Sequence, residues 1–188
     1  QNMNYQFIST LNGLGNVKTK YVIKFRGDEY YSNIDSMVDS IYSNPTKIWS
    51  SPIFFRHPTH FNYHISDHII GGTLESIKFM YSASKYAFDK DLIFYMKDGV
   101  RHKFWEPEIN LTRSFLMAKY KTSLETENSA ELMVENFDVF DLKKLKPYKV
   151  VANIFSKFWD SDFDPHKNES IENINELLNE TPIYGRWK

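Results

Sequence analysis

The chain has 188 residues, 41% of them hydrophobic and 16% aromatic, enough apolar material for one compact domain or two small ones. Its 23 Lys and Arg balance 24 Asp and Glu for a formal net charge of −1, which leaves no basic excess to draw nucleic acid onto the surface by counterion release. Zero cysteines exclude disulfides, thiolate metal sites and cysteine nucleophiles, and fit a reducing compartment or a particle assembled there.

Residues 1 to 16 place Tyr5, Phe7 and Leu11 before the turn-like run Asn12-Gly13-Leu14-Gly15-Asn16, a pattern that reads as an irregular arm lying on a neighbour. Gln1 to Thr10 has neither the basic start nor the apolar centre of a signal peptide, and no apolar run approaches the roughly 20 residues of a membrane helix, so a soluble chain is expected. From Tyr21 to Arg26 the side chains alternate, with Tyr21, Ile23 and Phe25 on one face and Lys24 and Arg26 on the other, as on a half-buried strand. After a Gly27-Asp28 turn, Ile34, Met37, Val38 and Ile41 recur at helical spacing behind Ser32 or Asn33 as cap. That helix must stop before Pro45. Asn44-Pro45 then opens a second short helix, which Trp49 closes. This strand and helix pair resembles a LysM-like module occupying about residues 17–55.

Next comes the histidine-rich stretch Phe55-Arg56-His57-Pro58-Thr59-His60-Phe61-Asn62-Tyr63-His64-Ile65-Ser66-Asp67-His68, with Gly71-Gly72 read as a break. Thr73 caps a predicted helix to about Ala87, whose inner side carries Leu74, Ile77, Met80, Tyr81 and Ser84. Leu92 to Met96 and Arg101 to Trp105, joined through Asp98-Gly99, predict a β-hairpin that Pro107 terminates. Between Leu111 and Phe140, first Phe115, Leu116 and Tyr120 and later Leu132, Met133 and Phe137 predict helical pieces broken around Thr122 to Asn128. Lys149-Val150-Val151-Ala152 predicts a short strand. Ile154, Phe155, Phe158 and Trp159 follow at helical spacing. A charged linker runs from Asp160 to Asn168, and Ser170 caps a last helix with Ile171, Ile174, Leu177 and Leu178. Pro182-Ile183-Tyr184-Gly185-Arg186-Trp187 is an aromatic end without a regular period, and no internal repeat is present.

The sharpest chemical cluster is His57, His60, His64 and His68, three, four and four residues apart, with Asp67 beside the last. Imidazoles at these spacings can share a metal on one helical face. The outer pair would stand about 16 Å apart along a helix axis, so at most two could bind one ion. Further ligands would then come from His102, His166 or a carboxylate. The preferred reading is that these histidines line a polar connection and bond to backbone or neighbouring chains, and their titration near neutrality also allows a pH-sensitive contact. No metal and no cofactor are expected. Asp160, Asp162 and Asp164 resemble the start of a calcium loop, but Pro165 and Ile171 stand where Gly and an acid are needed, which leaves a solvated linker. Glu125 and Glu127 read as a charged loop. Gly13-Leu14-Gly15-Asn16 precedes a strand, the wrong order for a phosphate cradle, and there is no GxSxG nucleophile elbow. The chain is therefore expected not to be an enzyme.

The order of parts resembles the LysM-like baseplate wedge proteins that join neighbouring wedges in contractile-tailed, T-even-like phages. Tyr21, Ile23 and Lys24, followed by Ile41, Tyr42, Asn44, Pro45 and Trp49, match that family's Tyr-x-Ile-Lys strand and Ile-Tyr-x-Asn-Pro-x-x-x-Trp motif. Thr73 to Ala87, Asp91 to Tyr95, Gly99, Lys103-Phe104-Trp105 and Lys149-Val150-Val151 follow the family's further order of helix, strands and turn. The resemblance spans about residues 20 to 158 and implies an α+β fold. Its parts would be an N-terminal arm (1–16), a LysM-like unit of one strand and two short helices (17–55), a region with a helix and β-hairpin layer (56–159), and a C-terminal extension with a helix (160–188). It further implies a structural virion protein of the tail baseplate, assembled in the host cytoplasm. Its partners would be other baseplate wedge proteins and neighbouring wedge copies, without nucleic acid or membrane. Tyr21, Ile23, Ile41, Tyr42, Asn44, Pro45 and Trp49 are the expected structural and interface residues. The alternatives are a glycan-binding LysM module and a metal-binding enzyme built on the His57 to His68 cluster.

Overall fold

The computed structural model describes residues 2–27, 29–31, 34–51, 63–97, 100–103, 106–124, 129–140 and 148–150. The fold is α+β. Helix α1 (Asn2–Asn16) leads into strand β1 (Tyr21–Phe25), strand β2 (Glu29–Tyr31), helix α2 (Ile34–Ser43) and strand β3 (Ile48–Ser50). Strand β4 (Ile69–Thr73) runs directly into helix α3 (Leu74–Asp89), followed by strands β5 (Phe94–Lys97) and β6 (Val100–Lys103). Helices α4 (Pro107–Tyr120) and α5 (Ser129–Asn136) and strands β7 (Phe137–Val139) and β8 (Tyr148–Val150) complete the order.

The main sheet runs β1-β4-β3-β7; β4 is antiparallel to both neighbours and β7 is parallel to β3. Helix α2 covers one face, where Ile41 and Phe140 approach Gly71, and α3 covers the other, where Ile77 approaches Gly72. Helices α1 and α4 both pack against α3. One hydrophobic core draws on Met3 and Phe7 of α1, Met37 and Ile41 of α2, Ile69 and Ile70 of β4, Met80 and Tyr81 of α3, and Phe115 of α4.

The first sixteen residues do not form an irregular arm. They are helical because Met3, Phe7, Leu11 and Leu14 fall on one stripe, with Phe7 meeting Tyr81 and Phe88 edge to face at ring separations of 6.3 and 6.0 Å. Burial of that stripe outweighs the poor helix propensity of Gly13 and Gly15, which both face open space.

Helix α2 stops at Ser43, ahead of Pro45 as expected, with Met37 and Ile41 buried; its predicted caps Ser32 and Asn33 lie outside the described residues. The second short helix does not form. Asn44 to Lys47 make a turn in which Lys47 donates its amide to the Asn44 carbonyl, and Trp49 stands in β3. Ile48, Trp49 and Ser50 are all buried, and a strand with neighbours on both edges satisfies their backbone groups there. Tyr21 to Phe25 forms the expected strand, but its partner is β4, which separates β1 from β3.

Gly71-Gly72 is no break either; both glycines lie within β4. Helix α3 matches its sequence signal: Thr73 accepts a hydrogen bond from the Ser76 amide at 3.1 Å, and Ile77, Met80, Tyr81 and Ser84 are buried. The hairpin also forms, with Met96 opposite Arg101 and Lys97 opposite Val100; its Asp98-Gly99 turn lies outside the described residues. Pro107 occupies the first turn of α4, where its missing N–H costs nothing. Val150 lies opposite Glu29, so the predicted strand near Lys149 forms against β2. The segments at 154–159, the Asp160 linker and the last helix lie outside the described residues, as do Glu125 and Glu127.

Candidate functional site

The motif residues divide between core and surface. Ile41 is buried, and Trp49 is buried except for an edge, stacked on Phe140 at 5.6 Å with 29° between the rings. The indole Nε1 donates to the Asn44 carbonyl at 3.1 Å, and the Thr46 hydroxyl donates to Asn44 Oδ1 at 2.7 Å, so the Asn44-Pro45 turn and Trp49 form one bonded unit. Tyr21 and Ile23 are half-buried on β1. Tyr42 is 60% exposed and meets Tyr21 edge to face at 4.8 Å. The structure thus brings together Tyr21 with Tyr42 and Asn44 with Trp49, and sets Ile41 beneath Gly71 in the core.

Of the candidate metal ligands, His57, His60, His102 and His166 have side chains outside the described residues. His64 and His68 are buried in a connection that is not helical, where Tyr63 takes a left-handed φ of 62°. Their four-residue spacing therefore does not put them on one helical face. Among the described residues no group of three or more His, Asp or Glu side chains converges as a metal site would require.

A polar cluster that the sequence reading did not assemble lies around Asp67. The residue is 3% exposed, at the point where α1, β1 and the start of β4 meet. Gln6 Nε2 donates to Asp67 Oδ2 at 2.6 Å, and Lys24 Nζ donates to the Asp67 carbonyl at 2.7 Å. Burial by itself raises the carboxyl's pKa. The charges of Lys24, His68 and Arg26 and the Gln6 hydrogen bond more than offset that, and Asp67 stays below the usual carboxylate range. Its charge in turn reaches outward. Burial, then Asp67 and Glu106, push Glu108 in the first turn of α4 up to about 7, and burial followed by Asp67 raises the Tyr81 hydroxyl. One compensated anion therefore fastens α1 to the sheet and adds to the effect of burial on the nearby Glu108 carboxyl. Only the adjacency of Asp67 and His68 was visible in sequence; Gln6 lies 61 positions away and Glu108 on another helix.

Compared with protein-family models, characterised proteins and solved structures, the chain matches none. No helix among the described residues is long and apolar enough to cross a membrane.

Proposed function

We propose that this chain is a non-enzymatic structural protein of a phage contractile tail, a baseplate wedge component that joins adjacent wedges during assembly. The reading rests on the resemblance carried by Tyr21, Ile23, Lys24 and the Ile41 to Trp49 motif. The observation that best supports a joining role is the pair of exposed tyrosines on two helices that pack together. Tyr5 on α1 is 71% exposed and Tyr86 on α3 is 61% exposed, while Phe7 and Tyr81 on the same helices fill the core. Tyrosines so placed supply large contact area at low entropic cost and are enriched among the residues that dominate protein interfaces. In this reading the Asn44, Pro45 and Trp49 unit acts through packing, as a stiff platform.

Tyr5→Asp with Tyr86→Asp tests this. The double variant is expected to keep wild-type thermal stability within about 0.5 kcal/mol, as surface substitutions do, and to fail to join wedges when purified baseplate wedge proteins are mixed. Normal joining by the variant would refute the reading. Saturable binding of N-acetylglucosamine oligomers by the wild-type chain would favour the glycan-binding module instead.

A further inference from the structure

A cavity of about 830 Å³ lies between α1 and β1, and its walls differ from end to end. Ile23 approaches Gly71 on the α2 face of the sheet, so Val22, Lys24 and Arg26 turn to the opposite face, toward α1. On α1, Gln6, Thr10 and Gly13 recur at helical spacing along the facing wall, with Ser9 beside them. Gln6 bonds to Asp67, and the carbonyl of the adjacent His68 accepts the Arg26 amide, so these polar groups gather at one end. The chain leaves α1 through Val17 and enters β1 at Tyr21, which puts Leu14, Val17 and Val22 at the other end. From Gln6 to Leu14 the helical wall is about 12 Å long.

The polar end holds an unmet acceptor. Asp67 lines the cavity and is almost fully buried; its Oδ2 accepts from Gln6, while Oδ1 has no hydrogen-bond partner among the described residues. A buried carboxylate oxygen without a donor is costly, so a hydroxyl delivered to it from the cavity is favourable. Lys24 and Arg26 line the same end, two cations against one anion, and each carries several N–H donors. That excess suits a ligand with a single negative charge and disfavours an added ammonium group. In the middle of the wall a Cβ on Gly13 would meet no atom within 4 Å, and beyond it Leu14, Val17 and Val22 offer hydrocarbon side chains.

We infer that this cavity binds a medium-chain carboxylate bearing a hydroxyl beside its carboxyl group. The carboxylate faces Lys24 and Arg26, the hydroxyl donates to Asp67 Oδ1, and the chain lies past Gly13 toward Leu14, Val17 and Val22. A simple fatty acid would leave Oδ1 without a donor, and a diol would leave the two cations without an anion. Burial of the chain against the aliphatic end supplies the apolar part of the binding free energy. The site is separate from the exposed Tyr5 and Tyr86, and a joining role for those residues neither requires nor excludes it.

Titration calorimetry of the full-length chain with α-hydroxyoctanoate tests the site and is expected to show one saturable site per chain. Octanoate, which lacks the hydroxyl, and the corresponding vicinal diol, which lacks the carboxylate, should each bind at least about tenfold more weakly. Gly13→Leu puts a side chain into the open middle of the cavity and exchanges glycine for a better helix former. It should weaken binding by at least about tenfold without lowering thermal stability. In the wild type, amide shift changes on titration should centre on Gly13, Val17 and Val22, which places the ligand without any variant. Absence of saturation by about 1 mM overturns the proposal. Equal affinity for either analogue also overturns it, as do shift changes centred elsewhere or binding that Gly13→Leu leaves unchanged.

Discussion

Replacing Gly71 by Ala probes a close approach of α2 to the sheet, and Gly72→Ala is its internal control. A methyl group on Gly71 would stand 2.7 Å from Ile41 Cδ1 and 3.2 Å from Phe140 Cζ, where carbon atoms prefer roughly 3.5–4.0 Å. Ile41 and Phe140 are both almost fully buried, so neither retreats into solvent. Overpacking of this kind costs about 1–3 kcal/mol, and removing glycine's backbone freedom returns about 0.5–1 kcal/mol. The net expectation is a loss of about 0.5–2 kcal/mol. At Gly72 the added methyl would meet the Lys47 carbonyl oxygen at 3.4 Å and Ile77 Cδ1 at 3.5 Å, ordinary contacts, so Gly72→Ala should be neutral or slightly stabilising. Ile41→Val removes the clashing Cδ1. Alone it should cost about 0.5–1.5 kcal/mol, but in the Gly71→Ala background its cost should shrink through a favourable coupling of about 1 kcal/mol. Urea unfolding of the four chains of that cycle and of Gly72→Ala gives the values, provided the denaturant slopes agree. Strict additivity between positions 41 and 71, or equal loss at Gly71 and Gly72, would refute the packing argument.

Trp49→Ala should destabilise the protein by about 3–5 kcal/mol, because it removes a buried aromatic and the hydrogen bond to the Asn44 carbonyl; thermal unfolding unchanged from wild type would contradict its place in the core. Glu108 introduces a pH dependence of definite sign. Its carboxyl binds a proton more tightly in the folded chain, with a pKa near 7, than at its ordinary value of 4.5, so its contribution to stability falls as pH rises through that window. Glu108→Gln should remove this slope and raise stability at pH 8 by about 1–3 kcal/mol. Urea midpoints at pH 5, 6, 7 and 8 measure it, and an unaltered slope in the variant would exclude Glu108 as its source.

Sequence by itself determined those elements whose instructions are local. Helix α3 carries its own cap in Thr73 and its own stripe from Ile77 to Ser84, and α2 carries its stripe and its stop at Pro45. The β5–β6 hairpin needs only two strands and a two-residue reversal. The exposed Tyr42 and the buried Trp49 share one motif, and that motif was legible as residues but not as geometry. Tertiary structure decided the rest, in each case by a contact between distant positions. Phe7 makes a helix of a glycine-bearing start because Tyr81 and Phe88 offer it a place to bury. Trp49 lies in a strand because β4 and β7 bond to both sides of it, and local helix signals cannot outweigh those ladders. Gly71 is a close approach rather than a break because Ile41 and Phe140 crowd the same spot. The Asp67 cluster exists only once α1, β1, β4 and α4 have met, for the cost of burying a carboxylate is met by Lys24, His68, Arg26 and Gln6, most of them remote in the chain.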